Sequence, residues 1–114
     1  MAGAQDARSG GVAGEGHRAG AGRVVVARGE LDQDTLAPLE EALTAAAHRY
    51  PLVVLDAGAV TFGDSSFLNL LLRVHRMTVL RIAAPGRQLR RLFALTGADT
   101  VLAQYPGVRE ALAG

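Results

Sequence analysis

The stretch Thr61-Phe62-Gly63-Asp64-Ser65-Ser66, running into Phe67-Leu68-Asn69-Leu70-Leu71-Leu72, decides how the chain is read. Asp64 has a short carboxylate that can accept the free N–H groups of a first helical turn, and apolar residues come after it at helical spacing. A helix is therefore expected from Ser65 to about Arg76, with Asp64 as its N-cap and Leu68, Leu71 and Leu72 in the core. The two serines admit two readings. They either help to start the helix, or they offer a hydroxyl for modification where a phosphate would meet unpaired N–H groups and the positive end of the helix dipole. A phosphoserine carries about −1.5 to −2 charges near neutral pH. At this place it should leave the helix intact and act on whatever docks over the helix end, with Asp64 adding to the local negative charge.

Upstream, Leu52-Val53-Val54-Leu55 is a short continuous apolar run, as expected of a parallel strand buried on both faces. Tyr50-Pro51 separates it from an amphipathic helix carrying Leu36, Leu39, Leu43 and Ala46-Ala47, with Pro38 in or near its first turn. The acidic stretch Glu30 to Thr35 supplies several candidate N-caps for that helix. Val24-Val25-Val26 with Ala27 reads as another strand, broken by Gly29. Downstream, Val79-Leu80-Arg81-Ile82-Ala83 is a strand ended by Pro85-Gly86. Gln88 to Leu95 is a helix stopped by Gly97, Val101-Leu102-Ala103 a final edge strand, and Gly107 to Ala113 a short closing helix. Strands alternating with helices imply an α/β fold: a mostly parallel four-to-five-stranded sheet with three to four helices.

Composition narrows the function. The chain has 114 residues, enough for one domain with one core. That core must be built from Leu, Val and Ala, because there are two Tyr, three Phe and no Trp. All twelve basic residues are Arg, and the formal charge is only +1, which argues against a nucleic-acid footprint. There is no cysteine, so disulfides and thiolate metal sites are excluded. No apolar run reaches the roughly 18 residues of a membrane span, and no apolar signal region is visible, so a cytoplasmic location is expected. Residues 1–22 contain seven glycines and few large apolar side chains; they are expected to form a flexible tail to a domain spanning residues 23–114.

Three ordered blocks carry a family resemblance: Arg28-Gly29-Glu30-Leu31-Asp32, Val53-Val54-Leu55-Asp56, and Val60-Thr61-Phe62-Gly63-Asp64-Ser65-Ser66. Together with Arg90-Arg91-Leu92-Phe93-Ala94-Leu95-Thr96-Gly97, they make residues 23–113 resemble the STAS domains of bacterial anti-sigma factor antagonists. The resemblance implies a non-enzymatic partner switch with no cofactor. Such a domain binds an anti-sigma factor that is also a serine kinase, is phosphorylated on the serine after the motif's aspartate, and is reset by a phosphatase. On this chain the phospho-acceptor would be Ser65. The partner-binding set would be Asp32, Asp64, Ser65, Ser66 and Phe67.

The chain departs from that pattern in three places. Phe67 stands where the family usually has glycine, so it either fills the core or obstructs docking. The glycine-rich tail offers no convincing counterpart of the family's first strand. The interval from Asp64 to Pro85 is short by about two helical turns. These departures motivate an alternative: a degenerate STAS-like scaffold that binds its partner without a phospho-switch.

Other candidates are weaker. His17, His48 and His75 lack ligand spacing. Neither serine lies in a Gly-x-Ser-x-Gly elbow, and His75 would sit ~15 Å along the helix axis, too far to act as a base. The Arg87, Arg90 and Arg91 cluster is either a solvated helix face or a partner-docking patch.

Overall fold

Leu52–Gly63 forms the central strand, β3, of a five-stranded sheet ordered β1-β2-β3-β4-β5. The computed structural model describes residues 22–114 and the backbone of Gly14–Glu15. Strand β2 (Gly22–Leu31) runs parallel to β3, with Val24 opposite Val54 and Val25 opposite Leu55. Strand β4 (Val79–Ala83) lies parallel on the other side, and β5 (Ala103–Tyr105) is parallel to β4. The two-residue β1 (Gly14–Glu15) pairs antiparallel with β2 at Val24 and Val25, so a short first strand is present after all.

The continuous apolar run of β3 is buried on both faces, which is why it lacks alternation. Val53, Leu55 and Ala57 point into the larger core, shared with helices α1 (Ala37–Arg49), α2 (Ser65–His75) and α3 (Arg87–Thr96). Three successive parallel crossovers that share one hand place their helices on one face. Val54 points the other way, into a smaller cluster with Val24, Ala83 and Ala111, closed by α4 (Val108–Ala113). Arg81 secures that helix. Its guanidinium donates to the Ala111 carbonyl (2.9 Å) and lies over the Tyr105 ring.

Several boundaries differ from the sequence reading, each for a physical reason. Gly29 does not break β2; at φ 80° it sits at a register irregularity and the strand continues to Leu31. Helix α1 takes none of the acidic residues as its N-cap. Leu36 occupies that position without a side-chain hydrogen bond, and Pro38 falls in the first turn, where no N–H is needed. The final strand begins at Ala103, because Ala98–Thr100 forms a 3-10 turn in which the Leu102 N–H bonds to the Ala98 carbonyl (2.8 Å) and the Leu102 side chain is buried. Gly97, at φ 80°, ends α3 in the left-handed conformation as expected. Apart from Gly14–Glu15 and Gly22, the expected flexible tail lies outside the described residues.

The junction of β3 and α2 as candidate functional site

Strand β4 stops pairing with β3 where Ala83 meets Asp56, but β3 runs on through Ala57 to Gly63 with only β2 beside it. In this two-stranded arm Arg28 lies opposite Ala59, Glu30 opposite Phe62 and Leu31 opposite Gly63. The register shifts between Val26 and Arg28 and again between Gly29 and Glu30. Such irregularities bend a strand pair and re-aim the residues beyond them. Here they deliver Gly63 and Asp64 to the edge of the sheet, beside the turn after β2.

Three contacts fix the end of the arm. The Asp64 N–H donates to the Leu31 carbonyl (3.2 Å), tying the junction to β2. On the opposite side, where β4 is missing, the side chain of Gln88 takes its place. The Gly63 N–H donates to Gln88 Oε1 (2.9 Å), and Gln88 Nε2 donates to the Gly63 carbonyl (2.8 Å). Gly63 itself is required by space. A Cβ at that position would lie 2.5 Å from Phe67 Cδ2 and 2.8 Å from Leu89 Cδ2, closer than non-bonded atoms can approach.

Asp64 is the N-cap of α2. Its Oδ1 accepts from the Ser66 N–H (2.9 Å) and the Phe67 N–H (3.2 Å), while its carbonyl accepts from Leu68 (3.0 Å). Ser65 is the first helical residue and is exposed; Ser66 is half-buried. Phe67 is completely buried in the larger core, against Gly63. Of the two fates expected for it, filling the core is the one realised. Its side chain therefore offers a partner no surface.

Asp32 stands in the turn after β2, next to Leu31, and so beside Asp64. Its Oδ1 accepts from the Asp34 N–H (2.9 Å) and the Thr35 N–H (3.1 Å), and Thr35 Oγ1 donates to the Glu30 carbonyl (2.8 Å). This is a self-capped Asx turn that holds Glu30, Asp32 and Asp34 near the start of α2. Of the sequence-predicted residues, the structure thus gathers Asp32, Asp64, Ser65 and Ser66 at one edge. Phe62, at 43% exposure, adds an apolar side chain to that edge.

The histidines stand apart from it. His48 is exposed near the C-terminal end of α1, His75 is at the far end of α2, and His17 lies outside the described residues. Among the described residues no three His, Cys, Asp or Glu side chains are grouped to hold a metal. No helix there is long and apolar enough to cross a membrane. Gln88 is the residue that sequence reasoning missed. It lies 25 positions from its partner, and no local pattern announces the pairing.

The sheet order, with an aspartate-capped helix after an extended central strand, defines the chain as a small α/β domain. The family described as "Mlab, STAS domain" matches residues 17–104, and the chain belongs to the STAS domain family. Its fold recurs in solved structures. The crystal structure of an anti-sigma factor antagonist from Mycobacterium paratuberculosis is 30% identical, with a TM-score of 0.78 over 92% of this chain and 94% of that one. An anti-sigma-factor antagonist (STAS) domain protein from Planctomyces limnophilus is 22% identical, with a TM-score of 0.75 over 90% and 92%. The Bacillus cell fate determinant SpoIIAA in the phosphorylated form is 18% identical, with a TM-score of 0.68 over 90% and 96%. No curated protein matches the chain.

Proposed function

We propose that this domain is an anti-sigma factor antagonist: a non-enzymatic protein that binds an anti-sigma factor with serine kinase activity and is released when Ser65 is phosphorylated. The observation that carries the reading is the exposed Ser65 at the first position of α2, directly after the capping Asp64, in a STAS domain 30% identical to a protein described as such an antagonist. Ser65 is favoured over Ser66 because Ser66 is half-buried and its N–H is engaged by Asp64. The N–H groups of Ser66 and Phe67 are already held by Asp64, so a phosphate on Ser65 adds charge at the surface without being needed for the cap. That charge would stand beside Asp64 and the Asp32 turn. A partner surface suited to those carboxylates would then face about two extra negative charges and added bulk. Asp32, Asp64, Ser65 and Ser66 form the proposed contact edge, and a phosphatase would restore it.

The alternative, a scaffold without a switch, draws on Phe67 and on the absent first strand. Phe67 lies inside the core and a two-residue β1 pairs with β2, which weakens both motives.

The test is to incubate the protein with ATP and an anti-sigma factor kinase encoded in the same genome, then map the modified residue by mass spectrometry. Label at Ser65, lost in Ser65→Ala, is expected. The Ser65→Asp variant should bind the kinase at least tenfold more weakly than wild type. Undiminished labelling of Ser65→Ala would overturn the site, and unchanged affinity of Ser65→Asp would leave the scaffold reading standing.

A further inference from the structure

Helix α3 has an electrostatic layout that its own stability does not explain. Its first turn holds Arg87 and no acidic residue, Arg90 and Arg91 come soon after, and its N-cap, Gly86, makes no side-chain hydrogen bond. Positive side chains at a helix N-terminus oppose the dipole, so this arrangement is unfavourable for the isolated domain. By contrast, Arg49 and Arg73 sit in the last turns of α1 and α2, where the dipole favours them. Leu89 and Phe93 bury one face of α3 in the core. Successive residues are about 100° apart around a helix, so Arg87, Arg91 and Ala94 stand on the opposite face, flanked by Arg90 and Leu95. All five are exposed, and Leu95 is 75% exposed, the highest value among the large apolar side chains of the described residues. Arg73–Glu40 is the ion pair found among the described residues, and it leaves the α3 arginines without a described carboxylate partner.

We infer that this arginine-and-leucine face of α3 is a docking surface for an acidic amphipathic segment of the protein partner. Charge complementarity selects the occupant: three arginines along one helix with no acid on that helix. The exposed Ala94 and Leu95 at the end of the same face call for apolar side chains as well as carboxylates. Nucleic acid would match the charge but not that apolar end. Arg87, Arg91 and Leu95 are four residues apart, a ridge of ~12 Å, which two to three turns of an acidic helix would cover.

The face is also placed to work with the switch. Gln88, between Arg87 and Arg91 in sequence, is bonded to Gly63, the residue before Asp64. The partner would thus meet an acidic edge at Asp32 and Asp64 and a basic face on α3, and Ser65 phosphorylation would alter only the first. The α3 face then serves as the anchor that phosphorylation leaves in place. This inference rests on the antagonist reading of the domain.

The experiment measures binding of the intact protein to the purified anti-sigma factor from the same genome, at low and moderate salt. Three proteins are compared: wild type, Arg87→Glu/Arg91→Glu, and Leu95→Ala. Circular dichroism controls for folding, and a short DNA duplex serves as competitor. The charge reversal should weaken binding at least tenfold at low salt and flatten its salt dependence. Leu95→Ala should weaken it severalfold, and hydrogen exchange should show α3 protected in the complex. Wild-type binding with reversal variants unchanged within twofold, or with α3 unprotected, would overturn this inference and leave the antagonist function intact. Displacement of the partner by the DNA duplex would assign the face to nucleic acid and overturn it as well. Failure of the wild type to bind any anti-sigma factor would remove the antagonist reading, and this inference with it.

Discussion

The placement of Ser65 at the surface is set by the packing and hydrogen bonds of the two residues before it. Gly63 packs its missing side chain against Phe67 and Leu89, and Asp64 locks the first turn of α2 through two N–H bonds. A methyl group at residue 63 would have to displace a buried aromatic ring and a buried leucine, and close-packed cores resist such shifts. Gly63→Ala is therefore expected to lower the unfolding free energy by about 1–3 kcal/mol, measured by urea denaturation. Phe67→Ala removes the ring that causes the clash and leaves a cavity, so by itself it should cost about 3–5 kcal/mol. The two changes share one space and should not add: Gly63→Ala placed in the Phe67→Ala background should cost less than it does alone. Full additivity would show that the ring is not what excludes a side chain from residue 63.

At the scale of elements, the arm formed by β2 and β3 does most to build the site, and it was the least legible part of the sequence. The buried half of β3 was plain from Leu52 to Leu55, because a short apolar run bounded by Tyr50-Pro51 fits a buried strand and little else. Its second half, from Asp56 to Gly63, contains two glycines and mixed polarity, and it is a strand only because β2 continues past Gly29 to pair with it. That pairing is non-local and irregular in register, so no window of sequence contains it. The Asp64 cap could be read because capping is settled within three residues; the Gln88 bonds could not, because they bridge 25. Gln88 acts here as one residue of a missing strand. Replacing it by Leu keeps most of the volume but leaves the buried Gly63 N–H and carbonyl without these partners. A loss of about 1–3 kcal/mol is expected. The sharper sign would be local: exchange of the Gly63 amide should quicken by at least tenfold while amides in the middle of β3 keep their protection, relative to global stability. If all amides change together, Gln88 is ordinary core packing and does not specifically hold the arm.

Across the whole molecule, the sheet separates two cores of unequal size, and the proposed switch touches neither. The larger core lies under α1, α2 and α3, while the smaller one depends on α4 and includes Ala111, fully buried against the β2–β4 face. Negative charge at residue 65 should therefore be nearly silent in stability. It sits at the favourable end of the α2 dipole, which contributes about 0.3–1 kcal/mol in its favour, opposed by repulsion from Asp64. A net change within ~1 kcal/mol corresponds to a melting shift of at most about 4–8 °C for a domain of this size. Charge in the smaller core has no such outlet. Ala111→Asp would bury a carboxylate among valines and alanines, on the helix whose carbonyl holds Arg81, and it should undock α4. Thermal unfolding of the two variants separates a surface switch from a structural one. Ser65→Asp should melt near wild type yet bind the anti-sigma factor at least tenfold more weakly, whereas Ala111→Asp should lose both stability and binding. A Ser65→Asp variant that unfolded well below wild type would mean that phosphorylation acts by loosening the domain, and the idea of an unchanged fold presenting a changed surface would have to be abandoned.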